Sequence, residues 1–225
     1  MTTAPDGPAS ARPGPTSREV LRSIDAPTSV EHDLPGAPLR RTYRAGAAEP
    51  GAFGVGFRSA VDLQLRAVDG HVCVSAATGD DLRFVPTSTG WLCTAGPIHR
   101  LTASGVGWSL VVDRHSQIEF DLAGRPRAWR TASGLLDTVV DGRGRIVVLR
   151  DRTAHRDLHL DWDGAHVVQV ATSDGATASY TYGVDGADSV RLLRVVRPDG
   201  VVTYRWDDDD IVHRHHCGRW DHRAS

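Results

Sequence analysis

The chain has 225 residues, 40% of them apolar and 24% charged, which suits one large domain or two small ones with a core that needs no staple of disulfides or metal. A net charge of −2 excludes a simple polyanion binder such as a nucleic-acid protein, because neutralising phosphates takes a basic surplus. No apolar run approaches the length of a membrane span, and the N-terminus lacks the apolar stretch of a secretion signal.

The sequence holds no Lys and no Asn, and 24 of its 28 acids are Asp. Such avoidance of AT-rich codons points to a GC-rich, bacterial gene. Residues 1–27 read as a disordered tail, since MTTAPDGPASARPGPTS has four prolines and few large apolar groups to repay ordering. Within it, Ser17 is placed to cap one or two helical turns over SREVLRSI.

From residue 38 the apolar period becomes two. PLRRTYRA, SAVDLQLRAV, HVCVSAA, DLRFVP, GWLCTA, HRLTAS, GWSLVVD and SQIEFDL are short alternating or β-branched runs, punctuated by Gly, Asp, Pro and Ser. This predicts an all-β fold of consecutive antiparallel hairpins, forming an open, coiled ribbon. No helix is predicted after residue 27, which excludes a doubly wound fold. Cys73 and Cys93 fall on strand-like runs where they could face each other and bridge. With Cys217 they make an odd, low count, which reads as free thiols rather than a disulfide framework.

The second half carries a repeat. Its marker pairs are Phe120-Asp121, Val140-Asp141, Trp162-Asp163, Tyr182-Gly183 and Trp206-Asp207, at spacings of 20, 22, 20 and 24 residues. A Gly turn and a strand follow each of the first four, and a second turn falls at Ser133-Gly134, Asp174-Gly175 and Asp199-Gly200. The unit is strand, turn, strand, turn, with each aromatic expected to be largely buried at an equivalent place on its hairpin.

The copies FDLAGRPRAW, VDGRGRIVVL, WDGAHVVQV and YGVDGADSVRLLRV resemble the YD repeat of the Rhs family. Upstream, Leu34-Pro35-Gly36 with Pro38-Leu39, then Arg41-Thr42-Tyr43, then Gly51 to Phe57 resemble the domain that leads into such repeats. The resemblance divides the chain into the tail at 1–27, an Rhs-type leading domain at 28–117, YD-like repeats at 118–210 and a His-rich tail at 211–225. It implies a β ribbon that coils into a shell, often around a toxin, and it implies export or cell-surface association in bacteria. This chain has too few ordered residues to enclose another domain. The expected function is therefore a non-catalytic structural module, a short orphan or split segment of a toxin-encapsulating shell. Its expected partner is a protein that continues the ribbon, or a second copy.

Two other readings compete. One is a carbohydrate-binding sheet face built on spaced Trp residues. The other is a metal-dependent enzyme or toxin that uses the C-terminal DDDDIVHRHHCGRWDHRAS, where His213 and His215 share a strand face and Cys217 or His222 could complete a metal shell. The run 207–210 lacks the spacing of a calcium loop, Glu119 and Asp121 read as solvated strand carboxylates, and GRGR at 142–145 matches the repeat turn rather than a phosphate loop. No residue is assigned a catalytic or cofactor-binding role, and no cofactor is expected.

Overall fold

The computed structural model describes residues 28–47, 49–75, 81–95, 99–132, 134–207 and 210–218, with backbone alone at 28 and at 210–218. The predicted tail and its helical turn lie outside these residues, as does His222. The described chain is all-β, its one helical element being a single 3-10 turn, and its antiparallel strands form a long open sheet.

A leading segment comes first. It holds β1 (Thr28–Glu31), β2 (Arg41–Arg44), β3 (Pro50–Gly51), β4 (Gly54–Val55) and β5 (Phe57–Ser59). Strands β1, β2 and β5 form a small sheet, and β3 pairs with β4. The 3-10 turn Ala60–Asp62 ends the segment. Ser59 Oγ accepts the Val61 N–H while Asp62 accepts the Ser59 N–H, a reciprocal cap that fixes the exit direction.

Sixteen strands then follow in strict meander order. The first eight are β6 (Gln64–Val68), β7 (His71–Ser75), β8 (Asp81–Thr87), β9 (Gly90–Cys93), β10 (Arg100–Ser104), β11 (Gly107–Asp113), β12 (Ser116–Phe120) and β13 (Pro126–Thr131). The second eight are β14 (Gly134–Val140), β15 (Ile146–Asp151), β16 (Arg156–Asp163), β17 (His166–Thr172), β18 (Thr177–Val184), β19 (Val190–Arg197), β20 (Gly200–Asp207) and β21 (Asp210–Gly218). The meander thus begins at Gln64, inside the predicted leading domain. It runs to Gly218, so the His-rich stretch is not all tail: 210–218 is a nine-residue strand paired with β20.

Local chemistry explains the hairpins. Asp69 (φ 45°) and Gly70 (φ 78°) both take the left-handed backbone that a tight two-residue turn requires, and Val68 then pairs with His71. Alternation sets the faces. Val72 and Val74 are buried while Cys73 between them is not, and Val202 and Tyr204 are buried while Thr203 and Arg205 are exposed.

The apolar face is covered in two ways. Over β6 to β12 the sheet curls onto itself, so the Leu65 N–H donates to the Gly124 carbonyl at 2.9 Å. A Cβ on Gly124 would sit 1.9 Å from the Leu65 oxygen, which only glycine allows. Further along, the leading segment covers the sheet. Val167 N–H bonds the Ala52 carbonyl at 2.9 Å, Phe53 meets Tyr180 edge-on at 4.9 Å, and Phe57 meets Tyr204 at 5.6 Å.

Cys73 and Cys93 are free thiols. They do not face each other: β8 lies between their strands, and Cys93 shares the buried face of Phe84 while Cys73 pairs with Arg83 on the other. The alternation that makes both runs strands also puts the two sulfurs on opposite sides.

Candidate functional site

The repeat markers coincide with a backbone irregularity. Register shifts fall at Glu119/Phe120, Val139/Val140, Asp161/Trp162, Thr181/Tyr182 and Arg205/Trp206. A β-bulge places an extra residue on one strand, bends it and re-aims the side chain. The extra residue falls on the following strand in every case, at Arg127, Val147, Val168, Leu193 and Val212, so each marker sits opposite a bulge in the strand it pairs with.

The turns after them are of two kinds. Asp121 accepts the Arg125 N–H, Asp141 accepts those of Arg143 and Arg145, and Asp185 accepts those of Ala187 and Ser189, all at 2.9 Å. In each, the Asp N–H also donates to the carbonyl four residues on. The assigned acids Asp163 and Asp207 do otherwise: they pair directly with His166 and Asp210 across shorter connections. In the fourth copy the turn acid is Asp185. Gly183 lies inside β18, which runs past Tyr182 to Val184, so the acid is displaced from the aromatic. The spacing DGADS after that strand is the signal that locates it.

A ladder of polar contacts joins successive copies. Trp162 Nε1–H donates to the Ile146 carbonyl at 2.9 Å, Tyr182 Oη to Val167 at 2.5 Å, and Trp206 Nε1–H to Leu192 at 2.8 Å. Over two of these rings lies an arginine from the end of the preceding turn or the start of the strand after it. Arg145 bonds Asp141 and stands 5.5 Å from the Trp162 ring, while Arg191 bonds Asp185 and stands 4.9 Å from the Trp206 ring. His166 takes that place over Tyr182, at 5.2 Å. The four aromatics do occupy equivalent places, but only Phe120 is fully buried. Trp162, Tyr182 and Trp206 are half-buried, because each keeps a polar tip at a strand end.

The second constellation is buried. Arg41 is fully enclosed. Its guanidinium bonds Asp33 at 2.6 and 2.8 Å, Glu31 at 3.1 Å and Tyr204 Oη at 3.2 Å. Tyr180 Oη donates to Asp33 at 2.9 Å, and Tyr204 Oη donates to Glu31. Rings of Phe53, Phe57, Tyr180 and Tyr204 stand 4.9 to 6.0 Å from the guanidinium carbon. Burial pushes Asp33 upward, but the Arg41 bonds and charge outweigh it and hold the carboxyl below its ordinary value. Burial raises the Tyr204 hydroxyl to about 12 and pushes Tyr180 well above its ordinary value, so both remain protonated donors. Arg197 Nη1 stands 4.0 Å from Asp33 as a second cation, and the tyrosine hydroxyls donate to the two acids, which locks the leading segment to β18 and β20. This group was not legible in the sequence. The run EHD at 31–33 followed by Arg41 was its local trace, but the tyrosines lie far along the chain.

A third feature is a cleft of about 670 Å³ between the leading segment and the turns at 121–125 and 141–145. Arg58, Arg66, Arg125, Arg143 and Arg145 all line it, with the carboxylates of Asp62 and Asp188. Asp62 accepts the N–H groups of Ala52 and Ser59, at 2.6 and 2.7 Å, and burial holds it above its ordinary value.

His213, His215 and Cys217 lie at alternate positions of β21, where the backbone alone is described. Among the residues whose side chains are described, no group of His, Cys, Asp and Glu is placed to hold a metal. Asp121 serves its turn, and Glu119 is exposed. Of the Trp residues described, Trp129 is buried, and Trp91, Trp108, Trp162 and Trp206 are half-buried. No helix among the described residues is long and apolar enough to cross a membrane. No protein-family model matches the chain, and no curated protein matches it.

Proposed function

We propose that this chain is a non-catalytic structural module, a short Rhs-type ribbon whose last strand pairs with a protein partner or a second copy that continues the sheet. One observation carries the reading. The meander is unbroken over sixteen strands, and its final nine-residue strand, β21, has ladder partners on β20 alone among the described residues. A strand so placed is a template for strand addition. The bulge-and-turn ladder supports the same reading, since it is a device for extending a sheet copy by copy. The non-catalytic part rests on where the carboxylates are used: Asp121, Asp141 and Asp185 hold turn amides, and Glu31 and Asp33 are bonded to Arg41.

Sedimentation at several concentrations, combined with amide exchange over 210–218, tests this. Concentration-dependent association that slows exchange at alternate amides of β21 is the expected result. A monomer at all concentrations whose β21 amides are protected at every position would overturn it, because the edge would already be covered.

A further inference from the structure

The arginine-lined cleft has a feature the ribbon does not require. In the repeat, the arginine that follows the turn glycine bonds the turn acid and covers the aromatic ring of the next copy, as Arg145 does with Asp141 and Trp162. Arg125 occupies the matching place after Asp121 and Gly124. The next marker, however, is Val140, which has no ring to cover. The Arg125 side chain makes no ion pair, hydrogen bond or ring contact among the described residues. Its guanidinium instead lies over Gly144, where a Cβ would come within 2.6 Å of it. Gly144 (φ 81°) therefore both allows the turn and leaves room for the cation beside it.

Arg143, exposed on that same turn, likewise has no side-chain partner among the described residues. The other cations of the cleft are already engaged: Arg58 with Glu49, Arg66 with Gln64, and Arg145 with Asp141. Of the two acids, Asp62 is bonded to backbone amides, and Asp188 lies exposed on the far turn. Two free guanidinium groups thus share one cleft with three partnered ones, in a chain whose net charge is −2. This is a local concentration of charge suited to a small anion, not the extended basic surface a nucleic acid needs.

The geometry points to a binding site for a small molecule carrying a phosphate chain, gripped by Arg125 and Arg143 together. Guanidinium groups bond phosphate oxygens in pairs, and a tetrahedral anion offers oxygens in several directions at once. A carboxylate group brings one charge on two coplanar oxygens, whereas a phosphate chain brings more charge and more oxygens to two guanidinium groups at once. The cleft falls within the size range of small-molecule sites, about 300–1,000 Å³. This site is independent of strand addition at β21, so either can fail alone.

Calorimetric titration of the full chain with pyrophosphate at low salt tests it, with succinate as a dicarboxylate comparison. Saturable binding is expected, weakened about tenfold or more by Arg125→Gln and by Arg143→Gln through loss of charge-assisted hydrogen bonds. Arg114→Gln, an exposed arginine on a turn outside the cleft, should leave it unchanged. Succinate should bind at least about tenfold more weakly than pyrophosphate. Melting curves accompany each variant. Should Arg125→Gln disturb folding, the exposed Arg143→Gln carries the test alone. Absence of saturable binding at millimolar pyrophosphate, an equal loss in Arg114→Gln, or equal binding of succinate would each overturn the proposal.

Discussion

The strands β6 to β12 and the strands β16 to β20 are buried by different means. The first set curls so that Leu65, Val72, Val74, Phe84, Leu101 and Leu110 cover one another, with no buried ion pair among them. The second set is covered by the leading segment, which brings Arg41, Glu31 and Asp33 into contact with Tyr180 and Tyr204. Apolar burial is non-directional and tolerates a shift in packing. A hydrogen-bonded charge cluster does not, because a displaced partner leaves a desolvated group without compensation. The rolled half thus depends on volume, and the covered half on registration.

Removing Arg41 should have the largest effect. Arg41→Ala leaves Glu31 and Asp33 enclosed without the guanidinium bonded to both, a loss of about 3–5 kcal/mol. Urea unfolding measures it, and amide exchange at 52–57 should rise as the leading segment loosens. An Arg41→Ala protein as stable as its parent would mean that charge does not hold this half. In the rolled half, Leu110→Ala should cost about 2–5 kcal/mol through the cavity it leaves, with exchange at 52–57 unchanged.

Acid should separate the halves next. The folded Asp33 carboxyl lies below its ordinary value, so its contribution is present above the unfolded value and is lost as pH falls through the folded one. Asp62 has the opposite sign: its raised folded value gives a contribution that is complete in acid and lost as pH rises through that value. Unfolding midpoints compared between neutral pH and pH near 3 should fall less in Asp33→Asn than in the parent chain. An identical fall in both would remove Asp33 from the account. The smallest effect concerns the ladder. Trp162→Phe keeps most of the ring but loses the hydrogen bond to the Ile146 carbonyl, a change of about 0.5–1.5 kcal/mol readable as a lowered melting temperature.

Much of the ribbon was legible. The two-residue alternation of HVCVSA is β7, and the markers Phe120, Val140, Trp162, Tyr182 and Trp206 each mark a bulge. These are local features, set by side-chain alternation and by turn residues next to the strands they join. Reading failed where the local pattern slipped. The assumption that the acid follows the aromatic missed Asp185, because β18 continues for two residues beyond Tyr182. The sites were less legible than the strands. A lone Arg41 between strand residues looks like a solvated charge until Tyr180 and Tyr204 arrive from far along the chain.

The sequence by itself determined the all-β class, the order of the hairpins and the periodic turns, because each depends on residues within a few positions of one another. Tertiary structure alone decided that the leading segment folds onto β16 to β20, that β6 meets the turn at Gly124, and that Arg125 is left beside Gly144 without a ring. Each of these depends on which distant segments meet as the sheet curls. That curl is the sum of many small twists and bulges, and no single stretch of sequence encodes it.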